Sequence, residues 1–436
     1  MNKRLPPLFL QRVRHELPSL YEHYLQRSDR PPWKGLRTNP QKPLPPSFLT
    51  SLKPIPWSPV GFYVEEKLGH HPFHHAGMFY LQEPSAMAVV ETMHIQPEDW
   101  VLDVAAAPGG KSTHIAGYLS SHGFLWSHDK DRQRATQLMF NLERMGFYHG
   151  LVTTGDIDAL IGSMPSFHKI LLDAPCSGEG MFLKEEKAMD QWSPELVLAC
   201  ARVQKELLEN VAPLLLEGGE LTYSTCTFSR EENELQILDF LKRHHDFELA
   251  PRTYPDAFDT TSTQGVGARL LPSELEGEGH YVVTLRKKGT AILPVRKIAQ
   301  SSIPPTFQQF MKTHRVGIPE GGHYIQLQER LYWAHHTFNL SPRQCLNPGL
   351  YVGNIKEYGF IPSHALSHAN HLELPRVELS WDDPRVKRYL KGETFSFDQK
   401  DGWYVFSVEG QGLGWIKMVK GLAKNHFPKG LRILHD

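Results

Sequence analysis

Two cysteines and one acid stand where the sequence could build a covalent catalyst. Asp173 and Cys176 lie in the segment DAPCSGEG, and Cys226 lies in YSTCTF. Both segments follow runs typical of buried strands, so we expect these side chains at one edge of a sheet. The chain has four cysteines and no C-x-x-C pair, which favours free thiols over disulfides or a zinc site. A thiol beside an acid can attack a carbon atom while the acid protonates or hydrogen-bonds the atom on which negative charge develops. The other two cysteines, Cys200 and Cys345, are typical of inert buried residues.

A glycine-rich segment, VLDVAAAPGGKST at residues 101–113, is the candidate cofactor loop. Its Gly110, Lys111 and Ser112 match the second half of a phosphate-binding P-loop, but Ala105 stands where the first glycine is required. Without that glycine the loop lacks the tight turn that points backbone amides at phosphate. The glycine spacing also departs from the G-x-G-x-x-G pattern of nicotinamide dinucleotide enzymes.

Four successive predicted strands each deliver a carboxylate to their C-terminal end: Asp103, Asp129, Asp156 and Asp173. This edge of a parallel sheet is where open α/β folds bind ligands. Asp129 lies 19 residues beyond Gly110, the position from which an acid reaches the ribose of an adenosine cofactor. So many carboxylates disfavour a triphosphate and favour S-adenosylmethionine, which carries a sulfonium and an ammonium group.

With a methyl donor at this edge, the thiols and the acid are the groups needed to methylate cytosine at carbon 5. This carbon is a poor nucleophile until a thiolate adds to carbon 6 and makes an enamine. Asp173 would protonate or hydrogen-bond ring nitrogen 3 as negative charge develops there. The residues themselves leave open which of Cys176 and Cys226 attacks.

The motifs DVAAAPGGKS, DAPCSGEG and YSTCTF, in this order and spacing, resemble the RNA cytosine-5 methyltransferases of the Sun/Nol family. GMFYLQEPSAM and GLAKNHFPKGLR resemble its bacterial branch, the small-subunit rRNA methyltransferase F type, so the resemblance covers nearly the whole chain. It implies that Cys226 is the nucleophile and that Cys176 assists removal of the carbon 5 proton or breakdown of the adduct. Cys176 is the alternative nucleophile, because enzymes that methylate DNA cytosine use a Pro-Cys thiol.

The same resemblance implies a set of cofactor contacts. Arg134 belongs to this set, although Arg132 competes with it within the segment HDKDRQR. The full set is Ala105, Ala106, Ala107, Pro108, Gly109, Gly110, Lys111, Asp129, Arg134, Asp156 and Asp173.

The order of predicted elements indicates an α/β fold. From about residue 80 to 288, short apolar runs alternate with amphipathic stretches, the pattern of an open, mostly parallel sheet. The resemblance implies a Rossmann-like class I methyltransferase core of seven strands, with an N-terminal extension and C-terminal α+β and PUA-like modules. The predicted divisions are an N-terminal RNA-binding arm at 1–80, the catalytic domain at 81–288, a linker at 289–305, an intermediate domain at 306–369 and a PUA-like RNA-binding domain at 370–436.

The N-terminal region is expected to be an arm because prolines dominate it. Residues 1–60 hold 12 of the 33 prolines. This content predicts one helix around Phe9–Gln26 followed by extended chain laid over a neighbouring domain.

Charge is distributed unevenly along a chain whose total is -1. Residues 1–60 carry +7, residues 61–290 carry -14 and residues 291–436 carry +6. Positive ends around an acidic middle suit a polyanion such as RNA, because phosphate contacts come from lysine and arginine. The candidate RNA contacts near the C-terminus are Lys417, Lys420, Lys424, Lys429 and Arg432, and Trp415 and Phe427 could stack on bases or pack inside the domain.

The histidine-rich segment GHHPFHHAG at residues 69–77 raises the question of a metal site. It has no cysteine or carboxylate at ligand spacing, and its glycines and proline mark a loop. We therefore predict no metal, and a loop near the RNA.

The remaining expectations concern location and function. No apolar run reaches the roughly 18 residues of a membrane span, and the first residues lack the apolar core of a signal peptide, so we expect a cytoplasmic monomer without a membrane partner. The favoured hypothesis is formation of 5-methylcytosine in structured RNA, with small-subunit 16S rRNA as the first candidate. The alternative is a non-catalytic RNA-binding ribosome assembly factor with a degenerate methyltransferase core.

Overall fold

A computed structural model gives the structure of the protein and describes residues 5–26, 33–182, 184–273, 275–290, 301–318, 321–369 and 372–433. Most of the predicted linker, residues 291–300, lies outside these ranges. Among the described residues no helix has the length and apolar character needed to cross a membrane.

The N-terminal region is more ordered than an arm. It begins with two helices, α1 (Pro7–Glu16) and α2 (Pro18–Gln26), because Pro18 starts a new helix where one continuous helix was predicted. A four-stranded sheet follows, in the order β2-β3-β1-β4. The prediction of extended chain was wrong because these strands are only two to four residues long and carry no readable alternation. The elements are β1 (Gly35–Thr38), α3 (Pro46–Leu49), β2 (Lys53–Pro54), β3 (Gly61–Tyr63), α4 (Pro72–His75) and β4 (Phe79–Gln82).

The central region alternates strands and helices as the sequence predicts. Its first part comprises α5 (Pro84–Glu91), β5 (Trp100–Asp103), α6 (Gly110–Tyr118), β6 (Phe124–Asp129), α7 (Arg132–Met145), β7 (Gly150–Thr154), α8 (Asp158–Ile161) and β8 (Phe167–Asp173). Its second part comprises α9 (Glu186–Gln191), α10 (Pro194–Val211), β9 (Leu215–Thr225), α11 (Glu234–Arg243), β10 (Phe247–Leu249), β11 (Ala268–Leu270) and β12 (His280–Lys287).

The central sheet runs in the order β10-β12-β9-β8-β5-β6-β7, with β7, β6, β5, β8 and β9 parallel and β12 antiparallel to β9. This order has seven strands, the number that the family resemblance implies. Two further short strands enlarge the sheet to nine, because β11 pairs with β12 and β15 (Cys345–Asn347) pairs with β7. The chain leaves β5 toward β6 and later returns to its other side as β8, so a crevice opens at the carboxyl ends of these strands.

The C-terminal third forms two further sheets. The first, β13-β14-β16-β17, is built from α12 (Pro305–His314), β13 (His323–Leu327), β14 (Arg330–Ala334), β16 (Leu350–Lys356), β17 (Gly359–Pro362) and α13 (His364–His368). The second, β18-β20-β21-β22-β19, is built from β18 (Arg376–Leu379), α14 (Pro384–Leu390), β19 (Phe395–Ser396), β20 (Gly402–Val408), β21 (Gln411–Val419) and β22 (Leu422–Asn425).

The terminal regions pack on each other. One hydrophobic cluster contains Leu36 and Phe79 of the N-terminal sheet together with Phe406 and Ile416 of the last sheet. The N-terminal region is therefore a small folded unit that joins the catalytic sheet to the C-terminal module.

Candidate active site

The carboxyl ends of the parallel strands collect the predicted acids. Asp103, Asp129 and Asp173 are the last residues of β5, β6 and β8, and Asp156 lies two residues beyond β7. Asp156 is exposed and forms an exposed ion pair with Lys130 at 2.9 Å. The first three acids therefore line the crevice more closely than the fourth.

The candidate cofactor loop is held by side chains from β6 and α7. The backbone N–H of Ala107 donates to Oδ2 of Asp129 at 3.2 Å. The side-chain amide of Asn141 donates to the Pro108 carbonyl at 2.8 Å. Gly109 has φ = +109°, and a Cβ atom there would stand 3.2 Å from a methyl carbon of Leu138, so glycine suits both the turn and the space.

The two arginines of α7 that are candidates for the cofactor contact have different partners. Arg134 donates from Nη2 to the Ala107 carbonyl at 2.9 Å and lies 3.5 Å from Oδ2 of Asp129. Arg132 instead donates to the Arg343 carbonyl, in the connection before β15. Of the two, Arg134 lies beside the loop.

Asp103 offers an open acceptor beneath the loop. Its side chain is fully buried, and Oδ2 accepts a 2.6 Å hydrogen bond from the Ser112 hydroxyl. Oδ1 is buried without a hydrogen-bond partner among the described residues. Burial raises the pKa of Asp103 to about 7, and the neighbouring Asp173 adds to this, while Ser112 opposes it. A positively charged ligand group would stabilise the ionised form.

Asp173 forms an ion pair with Lys111, which favours a hydrogen-bond acceptor where the sequence suggested a proton donor. Nζ of Lys111 lies 2.7 Å from Oδ2, and the Ser224 hydroxyl donates to Oδ1 at 2.6 Å. Burial favours the neutral acid, but Lys111, His280 and the Ser224 hydrogen bond outweigh it, so the pKa of Asp173 is lowered. Burial likewise opposes the charge of Lys111, but Asp173 overcomes it and the pKa of Lys111 is raised. An ionised Asp173 accepts hydrogen bonds, and Lys111 is the proton donor of this pair.

The two predicted thiols meet at the ends of β8 and β9. The Sγ atoms of Cys176 and Cys226 lie 3.3 Å apart, and both residues are partly buried. The hydrogen bond with Cys226, together with burial, raises the pKa of Cys176 well above its ordinary value. Either sulfur can donate in this contact, and the raised pKa favours the protonated form of Cys176.

Glu232, which the sequence did not single out, ties the loops of the two cysteines together. Its buried carboxylate accepts from the backbone N–H of Ser177 at 3.0 Å and from the Ser177 hydroxyl at 2.5 Å. It also accepts from Gln204 at 2.9 Å and from Ser229 at 2.8 Å. Ser177 follows Cys176 directly, so this carboxylate fixes where that thiol stands.

Arg37 is a second buried residue that sequence reasoning missed. Its guanidinium reaches from β1 to α6, where Nη2 lies 2.6 Å from the Thr113 hydroxyl and 3.3 Å from the Gly110 carbonyl. Nε donates to Gln82 at 2.9 Å. The N-terminal sheet thereby supports the helix that begins at the cofactor loop.

The predicted RNA contacts fall into two groups. Lys417, Lys420, Lys424 and Lys429 are exposed, and Lys417 and Lys424 stand directly opposite each other on β21 and β22. Arg432 is only partly exposed and donates to the Phe427 carbonyl at 3.4 Å.

The two aromatic side chains near these lysines pack inside the domain. Trp415 and Phe427 are 1% and 2% exposed, so neither presents a face for stacking on a base.

The histidine segment forms a packing surface. Residues 72–75 make the short helix α4, and the ring of His75 lies 6.0 Å from that of Phe427. Burial lowers the pKa of His71 and of His75 to about 4 in each case. In the described part of the chain no group of three or more His, Cys, Asp or Glu side chains is arranged to hold a metal ion.

Comparison with protein families places this site in a known context. Residues 90–286 match the model of the 16S rRNA methyltransferase RsmB/F, residues 5–84 match the N-terminal domain of 16S rRNA methyltransferase RsmF, and residues 376–433 match the methyltransferase RsmF PUA domain. The ribosomal RNA small subunit methyltransferase F of Escherichia coli O6:H1 is 34% identical over 69% of this chain and 67% of its own length. The chain belongs to this family.

Other relatives bear the same name. The ribosomal RNA small subunit methyltransferase F of Vibrio campbellii is 29% identical over 99% of this chain and 98% of its own length. That of Vibrio vulnificus is 35% identical, and the match spans 67% of this chain and 66% of that protein.

Solved structures share the fold. A methyltransferase homologue from Pyrococcus horikoshii is 26% identical, with a TM-score of 0.54 over 65% of this chain and all of that one. The NSun6 structure from Pyrococcus horikoshii with SFG has a TM-score of 0.59 over 66% of this chain and all of that one, and at 20% identity it shows the fold alone.

Proposed function

We propose that this family member transfers a methyl group from S-adenosylmethionine to carbon 5 of a cytosine in 16S rRNA, through a covalent adduct between Cys226 and carbon 6. The observation that carries this proposal is the 3.3 Å contact between Cys176 and Cys226, beside the ion pair of Lys111 and Asp173. A nucleophile, a second thiol and a charged pair for the base thus lie at one sheet edge.

The crevice beside this pair suits the methyl donor. S-adenosylmethionine supplies an electrophilic methyl group when it is bound. The loop from Ala105 to Gly110 has small side chains that would let the donor approach closely, and Asp129 stands at the end of β6 for a ribose. The open Oδ1 of Asp103 is a buried acceptor suited to the donor's ammonium group. Arg134 and Asp156 complete the proposed contacts.

The charged pair fits the polar edge of cytosine. This edge presents an amino group, which donates, next to ring nitrogen 3, which accepts. Asp173 would accept from the amino group, and Lys111 would donate to nitrogen 3. Lys111 then stabilises the negative charge that the ring gains when a thiolate adds to carbon 6.

The two thiols would carry out the two remaining steps, addition to carbon 6 and removal of the carbon 5 proton. Cys226 would add to carbon 6 as a thiolate, and the neighbouring Cys176, whose pKa is raised, would keep its proton and donate to it. After carbon 5 is methylated, its proton must leave before the bond between Cys226 and carbon 6 can break. Cys176 lies beside Cys226 and would remove that proton as a thiolate, after its own proton has passed to solvent.

The C-terminal module would hold the RNA. Lys417 and Lys424 face each other across two strands, a like-charge arrangement that destabilises a sheet unless an anion such as phosphate lies between them. Lys420 and Lys429 extend this surface. Phosphate contacts of this kind offset the few kcal/mol needed to turn a paired cytosine out of its stack.

Methyl transfer to 16S rRNA tests the proposal. The substrate is rRNA from cells lacking the enzyme, and nucleoside analysis identifies the product. We expect 5-methylcytidine with the native chain and with Cys200→Ala as the matched control, and none with Cys226→Ala. Binding of rRNA without any methyl transfer would favour the non-catalytic assembly factor.

A further inference from the structure

The two active-site thiols lie within reach of a covalent bond with each other. Cys176 and Cys226 follow β8 and β9, which are neighbouring parallel strands in which Asp173 pairs with Ser224. The strands are about 4.8 Å apart where they end, a spacing inside the Cα separation of roughly 4.4 to 6.8 Å that disulfides span, and the cysteines lie in the loops just beyond. The Sγ atoms are already 3.3 Å apart, so a small rotation of the side chains would close the gap.

The surrounding loops hold this approach in place. The residues that follow the two cysteines are joined by a 2.8 Å hydrogen bond between the hydroxyls of Ser177 and Thr227. The backbone N–H of Gly180 donates to the Cys226 carbonyl at 2.8 Å. Glu232 binds Ser177 through two further hydrogen bonds. Because these contacts connect both loops, the separation of the two sulfur atoms is a property of the fold.

The pair is also open to an oxidant. Cys176 and Cys226 are both partly exposed, so a small oxidant can reach them. The proximity of Cys226 contributes to the raised pKa of Lys111, so a cationic side chain lies near this sulfur. A partly exposed sulfur in an electropositive surrounding is the kind that peroxide oxidises first, and a second thiol beside it completes a redox-sensing pair.

We propose that Cys176 and Cys226 form a reversible disulfide when the protein meets hydrogen peroxide. The Cys226 thiolate attacks one peroxide oxygen, the O–O bond breaks, and a sulfenic acid and water are formed once a proton is taken up. The Cys176 sulfur then attacks the sulfenic sulfur, the S–O bond breaks, and the Cys176 proton leaves with the hydroxyl group as water. One peroxide is reduced to two waters while two thiols become one disulfide.

The disulfide would turn the enzyme off without damaging it. On the proposed function, it removes both the nucleophile and the thiol that assists product release, and a dithiol restores them. It would also protect Cys226, because a sulfenic acid without a neighbouring thiol is oxidised further to the irreversible sulfinic acid.

A variant that keeps only these two thiols gives a direct test. Cys200→Ser and Cys345→Ser together leave Cys176 and Cys226 as the only cysteines, and neither replaced residue is part of the proposed site. The full-length double variant is treated with peroxide, and its free thiols are counted by alkylation and mass spectrometry. We expect the count to fall from two to none, with one disulfide-linked peptide pair and full return of both thiols after dithiothreitol.

Adding Cys176→Ser to the same background removes the partner thiol. In this variant we expect Cys226 to pass to sulfinic acid, which dithiothreitol does not reduce. Oxidation of Cys226 to sulfinic acid with Cys176 still free in the double variant would overturn the proposal, as would two thiols that survive peroxide. The thiol count does not depend on methyl transfer, so the disulfide and the proposed function can fail separately.

Discussion

Nζ of Lys111 lies 2.7 Å from Oδ2 of Asp173, with side chains that are 13% and 28% exposed. In this pair Asp173 accepts a hydrogen bond and Lys111 donates it. A lone acid beside a cytosine would instead be expected to donate to ring nitrogen 3. Removal of one partner leaves the other charged and largely buried. We predict that Lys111→Met lowers the free energy of unfolding by about 3 kcal/mol, measured by denaturant unfolding, and abolishes detectable methyl transfer.

The double variant Lys111→Met with Asp173→Asn serves as the control for this pair. It removes both charges, so its loss of stability should be smaller than the sum of the two single losses. Strictly additive losses would show that the two side chains do not interact in solution.

Asp103 should couple cofactor binding to pH. Its pKa of about 7 in the folded protein is above that of an unfolded aspartate, so the stability it contributes is present at low pH and is lost as the pH rises through 7. A bound cation favours the ionised carboxylate. Affinity for S-adenosylmethionine should therefore increase between about pH 6 and pH 8, with proton release on binding at the lower pH.

Titration calorimetry in buffers of different ionisation enthalpy measures that proton release. Asp103→Asn keeps the size of the side chain and cannot ionise, so its affinity should be weaker and less dependent on pH. An unchanged pH dependence in Asp103→Asn would assign the titration to another group.

Arg37 should act on the cofactor through helix α6. Arg37→Met leaves the Gly110 carbonyl, Thr113 and Gln82 without their buried donor, which should cost about 2 to 4 kcal/mol of stability. Because α6 begins at the cofactor loop, we predict that KM for S-adenosylmethionine rises more than kcat falls.

Gln41 provides the matched control for Arg37. It reaches the same helix from the N-terminal region but binds carbonyls at the far end, those of Ala116 and Leu119. Gln41→Ala should leave that KM unchanged. An equal rise in KM in both variants would mean that general loosening of α6, and not its N-terminus, determines affinity.

The facing lysines of the last sheet should contribute to RNA affinity through charge. Replacing Lys417 and Lys424 by alanine should weaken binding of 16S rRNA and reduce the slope of log affinity against log salt by about two. Filter binding at several salt concentrations measures both quantities. Lys400→Ala, an exposed lysine of the same region outside these strands, is the comparison; an identical change in slope there would remove the special role of the pair.

Local patterns were enough to predict the strands of the catalytic sheet and the acids at their ends. Asp103, Asp129 and Asp173 each follow a buried apolar run and end a strand at the sheet edge. The seven-stranded core was implied by the family resemblance, since the runs themselves marked only the five parallel strands. The two added strands, β11 and β15, are three residues each and have no period to detect.

The residues that the sequence did not reveal act over long separations. Arg37 meets Thr113 and Glu232 meets Ser177, and neither partner stands near the other in the chain. A buried charge surrounded by donors has no local signature, since its partners come together only in the folded protein. For Trp415 the sequence allowed either stacking on a base or packing inside the domain. The structure shows packing, because its indole N–H donates to the buried Ser363 carbonyl at 2.7 Å.

Trapping of a covalent enzyme and RNA adduct tests the central claim most directly. Cys176→Ala, incubated with 16S rRNA and S-adenosylmethionine, should accumulate a complex that survives denaturation, and peptide mass spectrometry should locate the cytosine on Cys226. The double variant Cys176→Ala with Cys226→Ala should give no complex. A nucleotide attached to a residue other than Cys226, or full methyl transfer by Cys226→Ala, would contradict the account.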